Sequence, residues 1–240
     1  MKVSVILPAA GLGTRMQKVP EKTGTSRKQF MLLEGSPILL HTIRKFDSCP
    51  AVSDIIVALR GDDIEWVSDL VNRERFSKPV RLVEGGDSRQ ASVRNALDSL
   101  SPDTDLVAVH DAVRPFIEVS LIEKVIQVAA ETGAAILGIV PVDTVKRVHK
   151  DKVRATLTRE HLVLTQTPQV FRHDLLKLAF QKAYEDGFIG TDESSLVERL
   201  EEVEVSVVQG NDRNLKITKP ADIELARLFL TWETAGQAAS

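Results

Sequence analysis

This chain has a single cysteine and almost no net charge. Each of these features excludes certain classes of protein or partner. Cys49 is the only thiol among 240 residues, so no internal disulfide can form. Such sparing use of cysteine indicates a reducing compartment, here the cytoplasm. The 31 lysines and arginines nearly balance the 34 aspartates and glutamates, which leaves a net charge of -3. This balance argues against nucleic acid or an anionic membrane as a partner.

Long hydrophobic runs are missing as well. The longest apolar stretch, residues 133–142, contains Gly138 and Pro141, and it is about half of the roughly 20 residues that a bilayer requires. We therefore predict no membrane-spanning segment. Hydrophobic residues make up 43% and charged residues 27% of the sequence, as in an ordinary globular protein. Since no linker or internal repeat divides the chain, the prediction is one domain over residues 1–240.

The sequence does contain short β-branched runs that alternate with segments of helical period. These runs predict strands over 3–7, 54–59, 80–83, 106–110, 134–140 and 203–208. Helices are predicted from Ser36 onward and over 120–130, 174–185, 192–200 and 220–230. Ser36 is the expected N-cap of the first helix, with Pro37 at its first position. Strand–helix alternation implies right-handed crossovers, so the predicted fold is α/β, a Rossmann-like, doubly wound and mostly parallel sheet.

Residues 143–170 interrupt this alternation. Residues 144–149 and 153–158 follow a period of two around Lys150 and Asp151, which predicts a β-hairpin. A two-stranded ribbon is marginally stable alone. We therefore expect a protruding β-hairpin arm over about 143–170 that packs against a second subunit.

Glycine-rich and charged clusters follow the predicted strands one after another. They occupy residues 8–15, 84–87, 110–115 and 141–144, each directly after a strand. Ligands of open parallel sheets bind at the carboxyl ends of the strands. The four clusters are therefore expected to converge on one edge of the sheet.

The first of these clusters has the features of an anion-binding loop. Gly11 and Gly13 permit positive φ and close backbone approach, and Arg15 and Lys28 add positive charge. The dinucleotide fingerprint fails because Met16 replaces its third glycine, and no Walker A sequence occurs. The alternative interpretation is an ordinary glycine turn with solvated charges.

The other polar clusters also have two interpretations each. Asp87 or Ser88 could simply cap the following helix, and Asp111 could pair with Arg114 instead of contacting a ligand. The histidines at 41, 149, 161 and 173 lack metal-ligand spacing. The sequence shows no recognisable Ser-His-Asp or Cys-His arrangement of the kind used in nucleophilic catalysis.

In their order, these motifs resemble the cytidylyltransferases of isoprenoid precursor synthesis, the 2-C-methyl-D-erythritol 4-phosphate cytidylyltransferase family. The matching segments are 8–11 with Arg15, then 28–30, 85–87, 109–115, 143–144, 165–169, 191–193 and 214–218. The resemblance implies a cytoplasmic homodimer joined by the β-arm. It also implies transfer of CMP from CTP to the sugar-alcohol phosphate, with Mg²⁺ carried on the CTP phosphates.

The resemblance also assigns roles to individual residues. Arg15, Lys28 and Lys216 are the expected catalytic cations. The expected nucleotide-binding residues are Pro8, Ala9, Ala10, Gly11, Gly13, Gly86, Asp87 and Ser92. The expected residues for the sugar-alcohol phosphate are Asp111, Ala112, Arg114, Thr144, Arg159, Thr167, Thr191 and Lys216, with Arg159 reaching in from the other subunit.

One segment departs from the family pattern, and three other functions stay open. The link over 17–27 is longer than usual, and Arg27 stands where the family has a proline. The nearest rival is a ribitol-5-phosphate cytidylyltransferase, which shares the fold and chemistry. The others are a nicotinamide-dependent oxidoreductase and a non-catalytic protein that binds CTP.

Overall fold

A seven-stranded central sheet organises the molecule, and this computed structural model describes residues 1–11 and 27–238. The strands are β1 Val3–Pro8, β2 Leu32–Leu33, β3 Ser36–Pro37, β4 Asp54–Leu59, β5 Val80–Glu84, β6 Leu106–Val109, β7 Ala134–Ile139, β8 Lys146–His149, β9 Lys152–Thr156, β10 Leu164–Arg172 and β11 Ser206–Gln209. The helices are α1 Ile38–Asp47, α2 Gly61–Glu74, α3 Arg89–Asp98, α4 Val119–Thr132, α5 His173–Glu185, α6 Ser194–Val197 and α7 Pro220–Ala238. Short 3-10 turns lie at Lys28–Phe30, Arg159–His161 and Glu198–Leu200.

The predicted doubly wound, mostly parallel sheet is confirmed. Its strand order is β11-β7-β10-β6-β1-β4-β5, and β10 alone runs antiparallel to its neighbours β6 and β7. Alternate residues of β1 enter opposite layers because successive side chains of a strand point to opposite faces. Val5 and Leu7 belong to the core beside α1 and α4, whereas Ile6 belongs to the core beside α3 and α5.

The first predicted helix start is wrong by a short distance. Ser36 does not cap α1, because Ser36 and Pro37 pair with β2 in a short antiparallel ladder. Glu34 and Gly35 form the tight turn of that ladder at φ 48° and 82°. Pro37 is the residue before α1, and Ser36 Oγ instead accepts a bond from Arg44 at 3.2 Å.

The hairpin is present but shorter than the predicted arm. β8 and β9 pair antiparallel across Lys150 and Asp151, whose φ values of 48° and 58° are those of a type I′ turn. Residues 164–172 belong instead to the central sheet as β10. Alternation of apolar and polar residues is typical of both kinds of strand. It therefore could not show where the hairpin ends and where the next strand of the central sheet begins.

In the part of the chain that the structure describes, no helix is long and apolar enough to cross a membrane. The longest one, α7, packs Ile223 and Ala226 against Ile38, Val113 and Ile217 in a third core cluster.

Candidate active site

A cavity of about 440 Å³ lies at the carboxyl edge of the sheet. β4 and β5 lie on one side of β1, and β6 lies on the other. A crevice forms where strand order switches in this way. Six chain segments provide the described lining residues: Pro8, Ala9, Ala10, Gly11, Lys28, Gln29, Arg60, Gly86, Asp87, Ser88, Arg89, Ser92, Asp111, Ala112, Val113 and Lys216. Three of the four predicted clusters meet here, and the cluster at 141–144 does not line the cavity.

Gln29 is hydrogen-bonded to the described part of the loop that follows β1. Its buried side-chain amide donates to the carbonyl oxygens of Ala9 at 2.7 Å and Gly11 at 3.1 Å. Gly11 does not have the positive φ that the sequence suggested. A Cβ at Gly11 would meet no atom of the described residues within 4 Å, so none of these residues fills the space beside it. Gly13 and Arg15 lie outside the described residues.

The turn between β5 and α3 needs glycine for close packing. A Cβ at Gly85 would lie 2.7 Å from the Cβ of Ala10, and one at Gly86 would lie 2.5 Å from the Cβ of Ala91. The Gly86 amide donates to Ser92 Oγ at 3.1 Å, which fixes the turn against the first turn of α3. Ser88 is the N-cap, since its hydroxyl accepts from the Ala91 amide at 3.0 Å.

The buried Asp111 is the centre of a cluster of charges at the cavity, which consists of Asp111, Lys216, Arg114 and Arg89 and is called the Asp111 cluster below. Its Oδ2 lies 2.9 Å from Lys216 Nζ and 3.1 Å from Arg114 Nε, and its Oδ1 lies 3.5 Å from Arg89 Nε. The alternative pairing of Asp111 with Arg114 therefore exists, and Asp111 of this pair also lines the cavity. The Ile217 amide also donates to the Val113 carbonyl at 3.0 Å, which joins the Lys216 segment to this loop.

The charges of the cluster compensate one another. Burial by itself would raise the pKa of Asp111, but Lys216, Arg89 and Arg114 outweigh burial and hold that pKa well below its usual range. Arg89 is also bonded bidentately to the buried Glu193, at 2.7 and 2.9 Å. Although burial opposes its charge, these carboxylates raise the pKa of Arg89. Burial raises the pKa of Glu193, against the lowering effect of Arg89.

Five predicted contacts for the sugar-alcohol phosphate are not among the residues that line the cavity. Arg114 is buried and contacts Asp111 at 3.1 Å. Thr167 is buried behind Asp111, and its hydroxyl accepts from the Asp111 amide at 3.1 Å. Thr144 and Thr191 are exposed. Arg159 follows the hairpin and donates to the Val142 carbonyl at 2.7 Å. The roles of all five stay predictions.

Five residues that line the cavity were not predicted as site residues from the sequence: Gln29, Arg60, Ser88, Arg89 and Val113. Gln29 lies within a quoted motif, but nothing in the motif shows that its amide reaches back to the first loop. Arg60 follows β4 at the carboxyl edge, so its position after a buried strand was an available signal. Arg89 could not have been paired with Glu193 from the sequence, because 104 positions separate them.

The donor set of the cavity fits a Mg²⁺ ion that arrives with a nucleotide. Among the described lining residues, carboxylates come from Asp87 and Asp111 alone, and both Asp111 oxygens already contact cations. No group of three His, Cys, Asp or Glu side chains in the described segments could hold a metal ion. Mg²⁺ commonly binds through one or two carboxylates together with substrate phosphates, so the phosphates would be its main ligands here.

Comparison with known proteins identifies relatives over nearly the whole chain. A family model described as 2-C-methyl-D-erythritol 4-phosphate cytidylyltransferase matches residues 3–232. The enzyme of that name from Solibacter usitatus is 66% identical over 240 residues, which covers 98% of each chain. The one from Acidobacterium capsulatum is 51% identical over 235 residues, covering 96% of this chain and 98% of its own.

Solved structures agree with the sequence relatives. The 4-diphosphocytidyl-2C-methyl-D-erythritol synthase of Anaerococcus prevotii superimposes with a TM-score of 0.84 at 30% identity, and the match covers 96% of each chain. The 2-C-methyl-D-erythritol 4-phosphate cytidylyltransferase of Francisella tularensis gives a TM-score of 0.78 at 32% identity, covering 95% of this chain and 99% of its own.

Proposed function

This chain belongs to the 2-C-methyl-D-erythritol 4-phosphate cytidylyltransferase family, and we propose that the cavity at the carboxyl edge of the sheet is where it works. It is a nucleotidyltransferase that moves CMP from CTP to 2-C-methyl-D-erythritol 4-phosphate in isoprenoid synthesis. The oxidoreductase hypothesis is therefore wrong, and so is that of a non-catalytic CTP-binding protein. The relatives reported above are named for methylerythritol, and none is named for ribitol 5-phosphate.

The reaction joins two groups that repel each other. A phosphate oxygen of the sugar-alcohol phosphate attacks the α-phosphorus of CTP and forms a new P–O bond. The bond from that phosphorus to the α–β bridging oxygen breaks, and pyrophosphate leaves. Because the second pKa of a phosphate monoester is about 6, the nucleophile is already ionised near neutral pH and needs no general base.

Catalysis then depends on position and on positive charge. The observation that carries the proposal is that Lys28 and Lys216 line one cavity. Lys28 is next to Gln29, which is bonded to the first loop, and Lys216 contacts Asp111. Cations fixed in this way stabilise charge on the phosphates during in-line transfer. Arg15 is proposed as a third cation from the resemblance. Mg²⁺ bound to the CTP phosphates would supply further neutralisation and orient them.

The two sides of the cavity suit the two substrates. We assign cytosine and ribose to the turn that contains Gly86 and Asp87 and to the neighbouring Ser92 of α3, all of which line the cavity. We assign the sugar-alcohol phosphate to the Asp111 cluster, where Lys216 and Arg114 provide positive charge for a phosphate. The Pro8–Gly11 segment lies between them and would follow the triphosphate.

We propose that the hairpin joins two copies of the chain in a cytoplasmic homodimer. Val148 and Val153 are cross-strand partners in β8 and β9, yet their exposed fractions are 54% and 62%. An exposed apolar pair on a two-stranded ribbon favours a partner surface. In that dimer, Arg159 would reach the phosphate in the other subunit.

An acceptor panel tests this function directly. The purified protein is incubated with CTP, Mg²⁺ and either 2-C-methyl-D-erythritol 4-phosphate or ribitol 5-phosphate, and pyrophosphate release is measured. We expect release with the methylerythritol substrate and none above background with ribitol 5-phosphate or without acceptor. Equal release with ribitol 5-phosphate would contradict the substrate assignment.

A further inference from the structure

His110 is completely buried after the end of β6, beside the Asp111 cluster. Its exposed fraction is 0%, and its ring packs edge-on against Phe46 with 4.8 Å between ring centroids. A side chain in this position cannot touch a substrate in the cavity. Burial lowers the pKa of His110 to about 4, which keeps the imidazole neutral near pH 7.

The hydrogen bonds of His110 define its tautomer. Nε2 lies 3.0 Å from the Arg114 carbonyl oxygen, which can only accept a bond, so Nε2 carries the hydrogen. Nδ1 of a neutral ring must then accept. It lies 3.1 Å from Thr167 Oγ1, so the threonine hydroxyl donates to it.

The Thr167 hydroxyl connects the His110 ring to the backbone of Asp111. Thr167 Oγ1 uses its hydrogen for His110 and accepts the Asp111 amide at 3.1 Å. His110 therefore holds the Arg114 carbonyl directly and the Asp111 backbone through Thr167. These two points lie at the ends of the loop that contributes Asp111 and Arg114 to the Asp111 cluster, in which Lys216 contacts Asp111.

We propose that His110 is a positioning residue for the acceptor side of the active site. As a neutral imidazole with hydrogen on Nε2, it fixes the backbone of the Asp111–Arg114 loop and thereby the cations that receive the acceptor phosphate. The nucleotide side has its own supports, which are Gln29 on the first loop and Ser92 on the glycine turn. The inference rests on the proposed function, because it assigns the acceptor to this side.

Two conservative substitutions separate the two bonds of the ring. His110→Asn places an amide oxygen near the position of Nδ1 and can keep the bond from Thr167 while losing the bond to Arg114. His110→Gln places an amide nitrogen near the position of Nε2 and keeps only the bond to Arg114. For each variant, the KM for 2-C-methyl-D-erythritol 4-phosphate, kcat and the Kd for CTP are measured, together with the melting temperature.

We expect each variant to raise the acceptor KM by at least tenfold while the Kd for CTP changes by less than twofold. Phe46→Leu is the control, because it disturbs the packing of the ring and keeps both hydrogen bonds. It should lower the melting temperature without changing the acceptor KM relative to the Kd for CTP. An unchanged acceptor KM in both histidine variants, or an equal rise in the Kd for CTP, would overturn the positioning role.

A second readout does not depend on turnover. The ¹⁵N chemical shifts of the imidazole in the wild-type chain should show the neutral tautomer with hydrogen on Nε2 from pH 5.5 to 8. A ring with hydrogen on Nδ1, or one that titrates near pH 6.5, would overturn the inference. A wild-type chain with no transferase activity but this tautomer would instead count against the proposed function.

Discussion

At the scale of single residues, the site depends on charges that are held before any substrate arrives. Asp111 contacts Lys216, Arg114 and Arg89, and these side chains come from three different segments of the chain. Cations fixed by such contacts need little rearrangement when a phosphate binds, which is the basis of electrostatic preorganisation. Lys28 is the corresponding cation on the side of the first loop.

Replacing Lys28 with alanine should leave the chain folded and lower kcat on the order of 10²-fold or more, because a fixed donor to the developing charge is lost. Circular dichroism and steady-state kinetics check both parts. Lys124→Ala is the matched control, since Lys124 is exposed on α4 and does not line the cavity. Turnover of Lys28→Ala close to that of the control would contradict the assigned role.

The buried imidazole of His110 should make stability depend on pH. Its pKa is about 4 in the folded chain and about 6.5 when unfolded, so only the unfolded chain binds the proton between these values. The stabilisation is complete above pH 6.5 and is lost as pH falls toward 4. The loss amounts to about 3 kcal/mol.

Comparison with His110→Gln isolates this effect, because burial also lowers the pKa of His41 and His173 in both proteins. Urea unfolding at several pH values gives the two free energies of unfolding. The wild-type advantage at pH 7 should shrink by about 3 kcal/mol near pH 4. Two curves that stay parallel between pH 7 and 4 would show that His110 is not responsible.

At the scale of elements, the carboxyl edge of the sheet combines strand ends with tight turns. Two glycines there serve different purposes. Gly86 is packed against Ala91, whereas a Cβ at Gly11, which lines the cavity, would meet nothing within 4 Å in the described part of the chain. The same substitution at the two positions should therefore have different effects.

Gly86→Ala should lower stability by about 1–3 kcal/mol, because the new methyl group forces the glycine turn away from α3. Gly11→Ala should leave the melting temperature unchanged and raise the Kd for CTP, because its methyl group enters the space proposed for the nucleotide. Thermal unfolding and CTP titration of both variants check this. A Gly11→Ala chain that binds CTP normally would contradict the placement of the triphosphate.

Much of the structure at this edge was predictable from the sequence, because it depends on residues that are close together in the chain. Buried strands followed by glycine or charged residues are visible in short stretches. They predicted that four clusters converge; residues 8–11, 86–87 and 111–113 do line one cavity, whereas residues 141–144 do not line it. Long-range pairing is not visible in this way. The antiparallel insertion of β10 and the bond between Arg89 and Glu193 depend on packing between distant segments, which no local pattern encodes.

At the scale of the whole molecule, the remaining question is how two copies would share a site. If the arm supplies Arg159 to the partner, Arg159→Ala should raise the KM for 2-C-methyl-D-erythritol 4-phosphate and leave CTP binding largely unchanged. Steady-state kinetics and CTP titration test this. An unchanged acceptor KM would count against the arm contact.

Mixing variants tests whether the contact crosses between subunits. A dimer of Lys28→Ala with Arg159→Ala would contain one site with both cations intact. Refolding the two variants together should therefore restore about a quarter of wild-type activity, since half of the dimers are mixed. Activity no higher than the average of the two variants would show that Arg159 acts within its own chain or not at all.

A crystal structure with the product, 4-diphosphocytidyl-2-C-methyl-D-erythritol, tests most directly whether cations at this edge of the sheet surround the reacting phosphates. We predict Lys28 and Lys216 within hydrogen-bonding distance of the diphosphate, with cytosine at the glycine turn and the methylerythritol at the Asp111 cluster. A product bound elsewhere, or one whose phosphates face neither lysine, would contradict the account.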